Sequence, residues 1–336
     1  MECMGKINQK DIALALKLSR VTVTKALQDH PDIALKTRKL VKDKAKELGY
    51  VPNFIGRSLS SSKSYNIGIS LPKIAHSFFS HSVEYMYEAA NKLGYQIIPT
   101  ISFESGANEK KNLESLLSMG CEGVIIGTAS GVTDFEMYDF LKRAGIHTVF
   151  YDRFPSNYEG YGVCGNDLVG AESLTRFVIS KGYKKIICMA GPGSISVGRD
   201  RLQGFLNAHK SAGREINPSD IIEVDMTEKD GYDKFIAYFI ANGTPDAVVC
   251  TNDSVALGVY KAAAKVGVSI PKDIAVVGYG NLNSGRLISL VLITYNISVQ
   301  EMCNAMVDLL VKLITKVSVE KKVIQFDGEI VIRDSV

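Results

Sequence analysis

Apolar residues between positions 8 and 27, NQKDIALALKLSRVTVTKAL, recur at helical spacing in two short bursts separated by a polar turn. Asn8 can cap a first helix with Asp11 at its third position, an Asx analogue of the capping box, and Ile12, Ala13 and Leu16 form that helix's apolar stripe. Ser19 then caps a second helix that buries Val23, Ala26 and Leu27. Its outward side is left to Arg20, Val21, Thr22, Thr24 and Lys25, with residues 20–22 in the first turn. Two helices joined in this way are what reading a DNA major groove requires, because the first turn of the second helix reaches the base edges. An ordinary surface helical hairpin would show the same pattern.

From Tyr65 onward the pattern changes to apolar runs of strand length alternating with helical segments. NIGISL (66–71), QIIPTIS (96–102), GVIIG (123–127), HTVFYD (147–152), KIICMA (185–190), AVVC (247–250) and IAVVG (274–278) read as buried parallel strands. Helices are predicted over 82–93, 108–119, 135–144, 170–181, 201–212, 232–241, 254–266 and 300–314, which supply right-handed crossovers. The predicted fold is a small all-α helix-turn-helix head followed by an α/β body of two doubly wound parallel-sheet lobes with a cleft between them. Ligands of such sheets sit beyond the carboxyl ends of the strands.

Between head and body lies VPNFIGRSLSSSKSYN, where Pro52 and Asn53 can start a short helix and the Ser-rich stretch 60–64 is a natural linker. That helix presents Leu59 with little to bury it. Beside a DNA-binding head, a minor-groove wedge is the sharper reading of such a leucine. The expected division is a head at 1–51, hinge helix and linker at 52–64, and body at 65–336. The first lobe is expected over about 65–162 and 293–322, and the second over about 163–292 and 323–336.

Charge supports the nucleic-acid reading. Residues 1–60 hold 12 Lys and Arg against 6 Asp and Glu, whereas the rest of the chain holds 27 against 30. A basic head on a slightly acidic body is the electrostatic footprint of phosphate contact, although Lys36, Lys39, Lys42, Lys44 and Lys46 could equally be a solvated helix face.

With 46% hydrophobic and 22% charged residues over 336 positions, the chain reads as a well-cored protein of more than one domain. It shows neither a signal-peptide-like start nor the roughly 18 uninterrupted apolar residues of a membrane span, so a cytoplasmic location is expected. Six scattered cysteines without a CxxC pair read as reduced core residues, and no metal is expected. There is no GxGxxG opening a helix after the first strand, no Walker loop, no GxSxG elbow and no metal-spaced His pair. The glycine-rich AGPGSISVG fits none of these and reads as a cleft loop. Neither an enzyme nor a bound cofactor is expected.

Several motifs in order resemble the lactose-repressor/galactose-repressor (LacI/GalR) family of bacterial transcription regulators over essentially the full length. KDIALALKLSRVTVTKAL is similar to the family's head, TRKLVKDKAKELGYVPN to its third helix, and RSLSSSKSYNIGISLP to its hinge helix and first strand; DRLQGF, TNDSVALGVYKAA and IPKDIAVVGYGN match successive body signatures. The resemblance implies a periplasmic-binding-protein-like body and a homodimer on a pseudo-palindromic double-stranded operator. It assigns Arg20, Val21, Thr22, Lys25 and Asn53 to DNA contact and Leu59 to the wedge. In the cleft it assigns Asp152, Arg201 and Asn252 to a small-molecule effector, with Phe78 and Phe79 on the first-lobe wall and Asn281 after the strand IAVVGY.

Position independently supports the cleft set, because Asp152 ends a predicted strand, Arg201 opens a predicted helix and Asn252 follows AVVC. Each also has a structural reading, respectively helix cap, salt-bridge partner and turn residue. Departures from the family weaken sugar specificity. Gly280 and Asn281 stand where an acidic residue is frequent, Lys73 replaces a frequent Asp, and Ile297 occupies a Gln position. Gly56 replaces the usual Ala of the hinge helix, and Ala34 stands where a Ser cap is expected. The expected function is a DNA-binding transcriptional regulator, by preference a repressor, controlled by a small polar metabolite, by preference a saccharide or derivative. Missing the common acidic anchor, the ligand is expected to bring a negative charge to Arg201. A transport solute-binding protein shares the body fold but would need an export signal and no basic head.

Overall fold

Asn8 accepts a hydrogen bond from the backbone of Lys10, and Asp11 accepts one from the Asn8 backbone N–H at 2.8 Å, so helix α1 (Gln9–Leu16) starts with both halves of a capping box satisfied. It stops at Lys17, whose backbone turns left-handed at φ 54° while its N–H bonds back to Ala13 and Leu14. The Oγ of Ser19 accepts the N–H of Thr22 at 3.0 Å, capping α2 (Arg20–Leu27). Helix α3 (Leu35–Glu47) begins on Ala34 with no side-chain cap. Ile12, Val23, Ala26 and Val41 are fully buried where the three helices meet, with Leu16 and Leu27 packed against them. A hydrogen bond from Thr24 to Gln9 at 2.8 Å further ties α2 to α1.

The computed structural model describes residues 7–27, 29–50, 63–75, 77–155, 158–281 and 292–336. Asn53, Gly56 and Leu59 lie outside the described residues. The chain separates into two compact units, Met1–Ser64 and Tyr65–Val336.

The second unit contains two six-stranded sheets. The first holds β1 (Asn66–Leu71), β2 (Gln96–Ile101), β3 (Gly123–Ile126), β4 (His147–Tyr151), β5 (Tyr161–Gly165) and β11 (Val323–Phe326) in the order β11-β5-β4-β3-β1-β2. Every pairing is parallel. The second runs β12-β10-β9-β8-β6-β7, built from β6 (Ile186–Ala190), β7 (Ile221–Glu223), β8 (Ala247–Cys250), β9 (Ala275–Tyr279), β10 (Ile293–Asn296) and β12 (Glu329–Val331). There β12 alone is antiparallel, at an edge.

Helices cover both faces of each sheet, as parallel strands buried on two sides require. In the first lobe α4 (Ser77–Lys92) and α11 (Val299–Ile314) cover one face, and α5 (Gly106–Ser118) and α6 (Glu136–Arg143) the other. In the second lobe α7 (Asp167–Ser180) and α8 (Ser196–Ser211) lie opposite α9 (Glu228–Asn242) and α10 (Asp253–Val266). Gly204 lets α8 approach α7 closely: a Cβ there would stand 2.7 Å from the backbone nitrogen of Glu172 and 2.9 Å from Ala171 Cβ.

The expected lobe limits need correction. The chain crosses between sheets after β5, after β10 and after β11, so 161–165 and 323–326 belong to the first lobe and 293–296 to the second. The expected limits cut through β5 and put β10 and β11 whole into the wrong lobes, since YGVCG and ITYN are short and mixed in character. Neither reads as a continuous apolar run.

Candidate functional site

The carboxyl ends of strands from both sheets converge on a cavity of about 450 Å³. Lys73 follows β1, Glu104 follows β2, and Asp152 with Arg153 follows β4; from the second lobe come Asp167, Asn252 and Gly280, beyond β5, β8 and β9. This is where doubly wound sheets place ligands. Apolar groups, including Val197, Leu257, Ile297 and Met302, fill the spaces between these polar ones.

Of the residues singled out in the sequence, Phe78, Phe79, Asp152, Arg201 and Asn252 all line the cavity. Phe78 stacks on Tyr151 with ring centroids 5.6 Å apart and planes 4° from parallel, and Phe79 meets Phe78 edge-on at 5.2 Å. Asn252 has a structural task as well, since its side chain caps α10 by accepting the Val255 N–H at 2.8 Å and donates to the Met226 carbonyl at 3.0 Å. Asn281 is not part of the cavity wall. Its backbone is left-handed at φ 49°, and its side-chain oxygen accepts from Arg333 at 2.7 Å, while Gly280 before it faces the cavity.

Arg201 sits in the second turn of α8, which begins at Ser196, earlier than the sequence pattern suggests. It donates from Nε to Asp167 at 2.7 Å and from Nη1 to the Thr251 carbonyl at 2.6 Å, and its guanidinium carbon lies 3.7 Å from the Tyr279 ring centroid. Burial opposes the charge, yet Asp167, Tyr279 and Asp152 together hold the Arg201 pKa above its ordinary value. The negative charge that the sequence leads one to expect from a ligand at Arg201 is already supplied within the chain by Asp167.

Arg153 is paired likewise, donating to both oxygens of Glu104 at 3.0 and 2.9 Å. Asp152 differs. Its side chain is 12% exposed, its backbone is left-handed at φ 64°, and among the described residues the nearest cation is Arg153 Nε at 4.0 Å. Burial, reinforced by Asp167, raises its pKa to about 6 against the opposing pull of Arg153 and Arg201. The glycine-rich loop before α8 reaches the first lobe, where Ser194 Oγ lies 2.7 Å from Ser130 Oγ and Ser196 Oγ accepts the Phe154 N–H at 3.1 Å.

Asp167 and Tyr279 were not legible as site residues in the sequence. Asp167 reads as an ordinary acidic first-turn residue and Tyr279 as the end of a strand. The available signal was their shared place at strand ends, which is also that of Asp152 and Asn252.

In the head, Arg20 and Val21 are exposed on the first turn of α2, Val21 to 66%. Thr22 is half-buried and its hydroxyl lies 2.8 Å from Ser19 Oγ. Lys25 pairs with Asp32 at 2.9 Å, and Lys42 with Asp29 at 2.6 Å. The Lys25 hydrogen bond, then His30, then the Lys25 charge hold the Asp32 carboxyl below its ordinary pKa.

Sequence comparison matches residues 8–53 to the bacterial regulatory proteins of the lacI family. Residues 64–331 match the family of periplasmic binding proteins and the sugar binding domain of the LacI family. The chain belongs to the LacI family. Among curated relatives, the HTH-type transcriptional repressor PurR of Pasteurella multocida (strain Pm70) is 29% identical over 328 residues, covering 97% of this chain and 98% of the relative. The HTH-type transcriptional repressor CytR of Escherichia coli (strain K12) is 27% identical over 274 residues, covering 82% and 80%. The lac repressor dimer bound to operator and the anti-inducer ONPF superposes with a TM-score of 0.88 at 22% identity, covering 98% of each chain. The cellobiose complex of the transcriptional regulator CelR gives 0.76 at 23% identity, covering 98% of this chain and 100% of that one. At those identities the structural likeness speaks for fold. Family membership makes this LacI-family protein a DNA-binding regulator with an effector-binding body and not an enzyme. Among the described residues no helix is long and apolar enough to cross a membrane, and no group of His, Cys, Asp and Glu could hold a metal ion.

Proposed function

We propose that the protein is a repressor that binds a pseudo-palindromic operator as a homodimer and changes its operator affinity when a small polar metabolite occupies the interlobe cavity. The observation that carries this reading is the cavity itself, where polar groups from both lobes converge at strand ends around Asp152 and Arg201. A ligand touching both sets of groups binds one lobe arrangement better than another, which is the differential affinity a switch needs. Arg20, Val21 and Thr22 are the base-reading set, with Lys25 for guanine or phosphate: Arg20 suits guanine, and Val21 suits a thymine methyl. Phe78, Phe79, Asp152, Arg201 and Asn252 form the effector set, with Asp167 fixing Arg201. Leu59 and Asn53 keep their hinge roles on sequence grounds alone.

The relatives named as repressors support the sign of regulation. A randomised-site selection with the full chain, followed by a metabolite screen for release or tightening on the selected site, tests the reading. It predicts a two-fold symmetric site and at least one metabolite whose effect is lost when Asp152 is replaced.

A further inference from the structure

We propose that the ligand of the interlobe cavity carries a nitrogen group, as an amine, an amidine or an amino-substituted ring, that donates N–H to Asp152 while its apolar or planar part lies along Phe78. This rests on the cavity being the effector site. Among the described residues the Asp152 carboxylate accepts no hydrogen bond, whereas Glu104 has Arg153 and the Ser130 N–H, and Asp167 has Arg201. Asp152 is therefore a largely buried carboxylate on the cavity wall whose donors have to come from the occupant.

Charge balance narrows the occupant. Among the described residues of the wall carboxylates outnumber cations, and Arg153 and Arg201 are each paired with a carboxylate of the same chain. An anionic ligand would add to an existing excess of negative charge. A neutral hydroxyl supplies one donor and no charge, while a protonated nitrogen supplies several donors and the missing charge. Burial already pushes the Asp152 carboxyl toward neutrality, which a cationic partner would reverse. Beside it, Phe78 is half-buried and stacked on Tyr151, an aromatic surface of the kind that favours organic cations and flat rings.

Met226 and Met302 both line the cavity, so their methyl groups report occupancy directly. The test titrates the full chain, carrying carbon-13 methionine methyls assigned through Met226→Leu and Met302→Leu, with matched pairs near neutral pH: glucosamine and glucose, galactosamine and galactose, adenosine and purine riboside, cytidine and pyrimidin-2-one riboside, with gluconate as the anion. In at least one pair the amino member is expected to shift both methyl signals with an affinity about tenfold above its counterpart. Asp152→Asn should erase that preference, bringing the two members of the pair to similar affinities. Asparagine accepts the left-handed backbone as readily as aspartate, so the turn is kept. Equal affinities within every pair, tightest binding of gluconate, or a preference that survives Asp152→Asn would overturn the nitrogen assignment while leaving the cavity as the binding site. Binding that moves neither methyl, or a panel in which no compound moves them, would count against the cavity reading and the assignment together.

Discussion

Arg201 donates its Nε–H to Asp167 at 2.7 Å, and the two side chains are 14% and 5% exposed. An ion pair this deeply placed is a mutual obligation: removing one partner strands the other in a poorly solvated site, at a cost of about 3–5 kcal/mol. Arg201→Ala should therefore destabilise the body as well as disturb the cavity, lowering the melting temperature by roughly 10 °C. Pairing Arg201→Met with Asp167→Asn should recover most of the loss. Calorimetry of the two single variants and the double variant measures this coupling, and purely additive losses would show that the pair does not act as a unit.

Asp152 makes the opposite prediction. With its carboxyl raised from 3.8 to about 6, the folded state holds the proton more tightly than the unfolded chain. The ligand-free protein should thus lose stability as pH rises from about 4 to about 6, by about 3 kcal/mol in all, and carry that penalty at neutral pH. Asp152→Asn should melt higher than the parent at pH 7 and match it near pH 4. Melting curves across that range decide the point, and a variant less stable than the parent at pH 7 would mean that the carboxylate has a stabilising partner within the protein.

In the head, Asp32 holds Lys25 at 2.9 Å. Asp32→Asn should strengthen binding to non-specific duplex several-fold at low salt and steepen its salt dependence, since a freed lysine adds one more phosphate contact. Arg20→Ala should instead relax preference at one base position of each half-site, at about 1–3 kcal/mol. Salt titrations and site selection separate the two effects, and identical salt slopes for Asp32→Asn and parent would remove Lys25 from the phosphate-binding set.

Gly204 gives a packing prediction. A methyl group there would press on the backbone of α7, which cannot rotate out of the way as a side chain could, so Gly204→Ala should cost about 1–3 kcal/mol. Chemical denaturation of the body measures it, and an unchanged midpoint would show that α7 and α8 slide apart without cost.

Where the sequence was legible, one physical signal dominated. NIGISL, GVIIG, AVVC and IAVVG are continuous apolar runs because their strands are buried on both faces, and each became a strand within a residue or so of its expected limits. Edge strands β7, β11 and β12 lack that burial and carried no comparable signal. The site divides in the same way. Asp152, Arg201 and Asn252 could be placed because strand ends face the cleft. The pairing of Arg201 with Asp167 spans 34 positions and depends on where α8 begins, which the residues SISVG do not announce. Asn281 was misplaced by a single position, because the left-handed turn after Gly280 sends its side chain to Arg333.

The central claim is that occupancy of the cavity and binding of the operator are one coupled equilibrium. It is tested most directly by measuring the affinity of a compound that shifts Met226 and Met302 with and without the selected operator bound, alongside operator affinity with and without the compound. Linkage requires the two ratios to be equal, and a working switch puts them at about 5- to 150-fold. Equal and substantial ratios are the predicted result. A compound that fills the cavity yet leaves operator affinity unchanged would contradict the account.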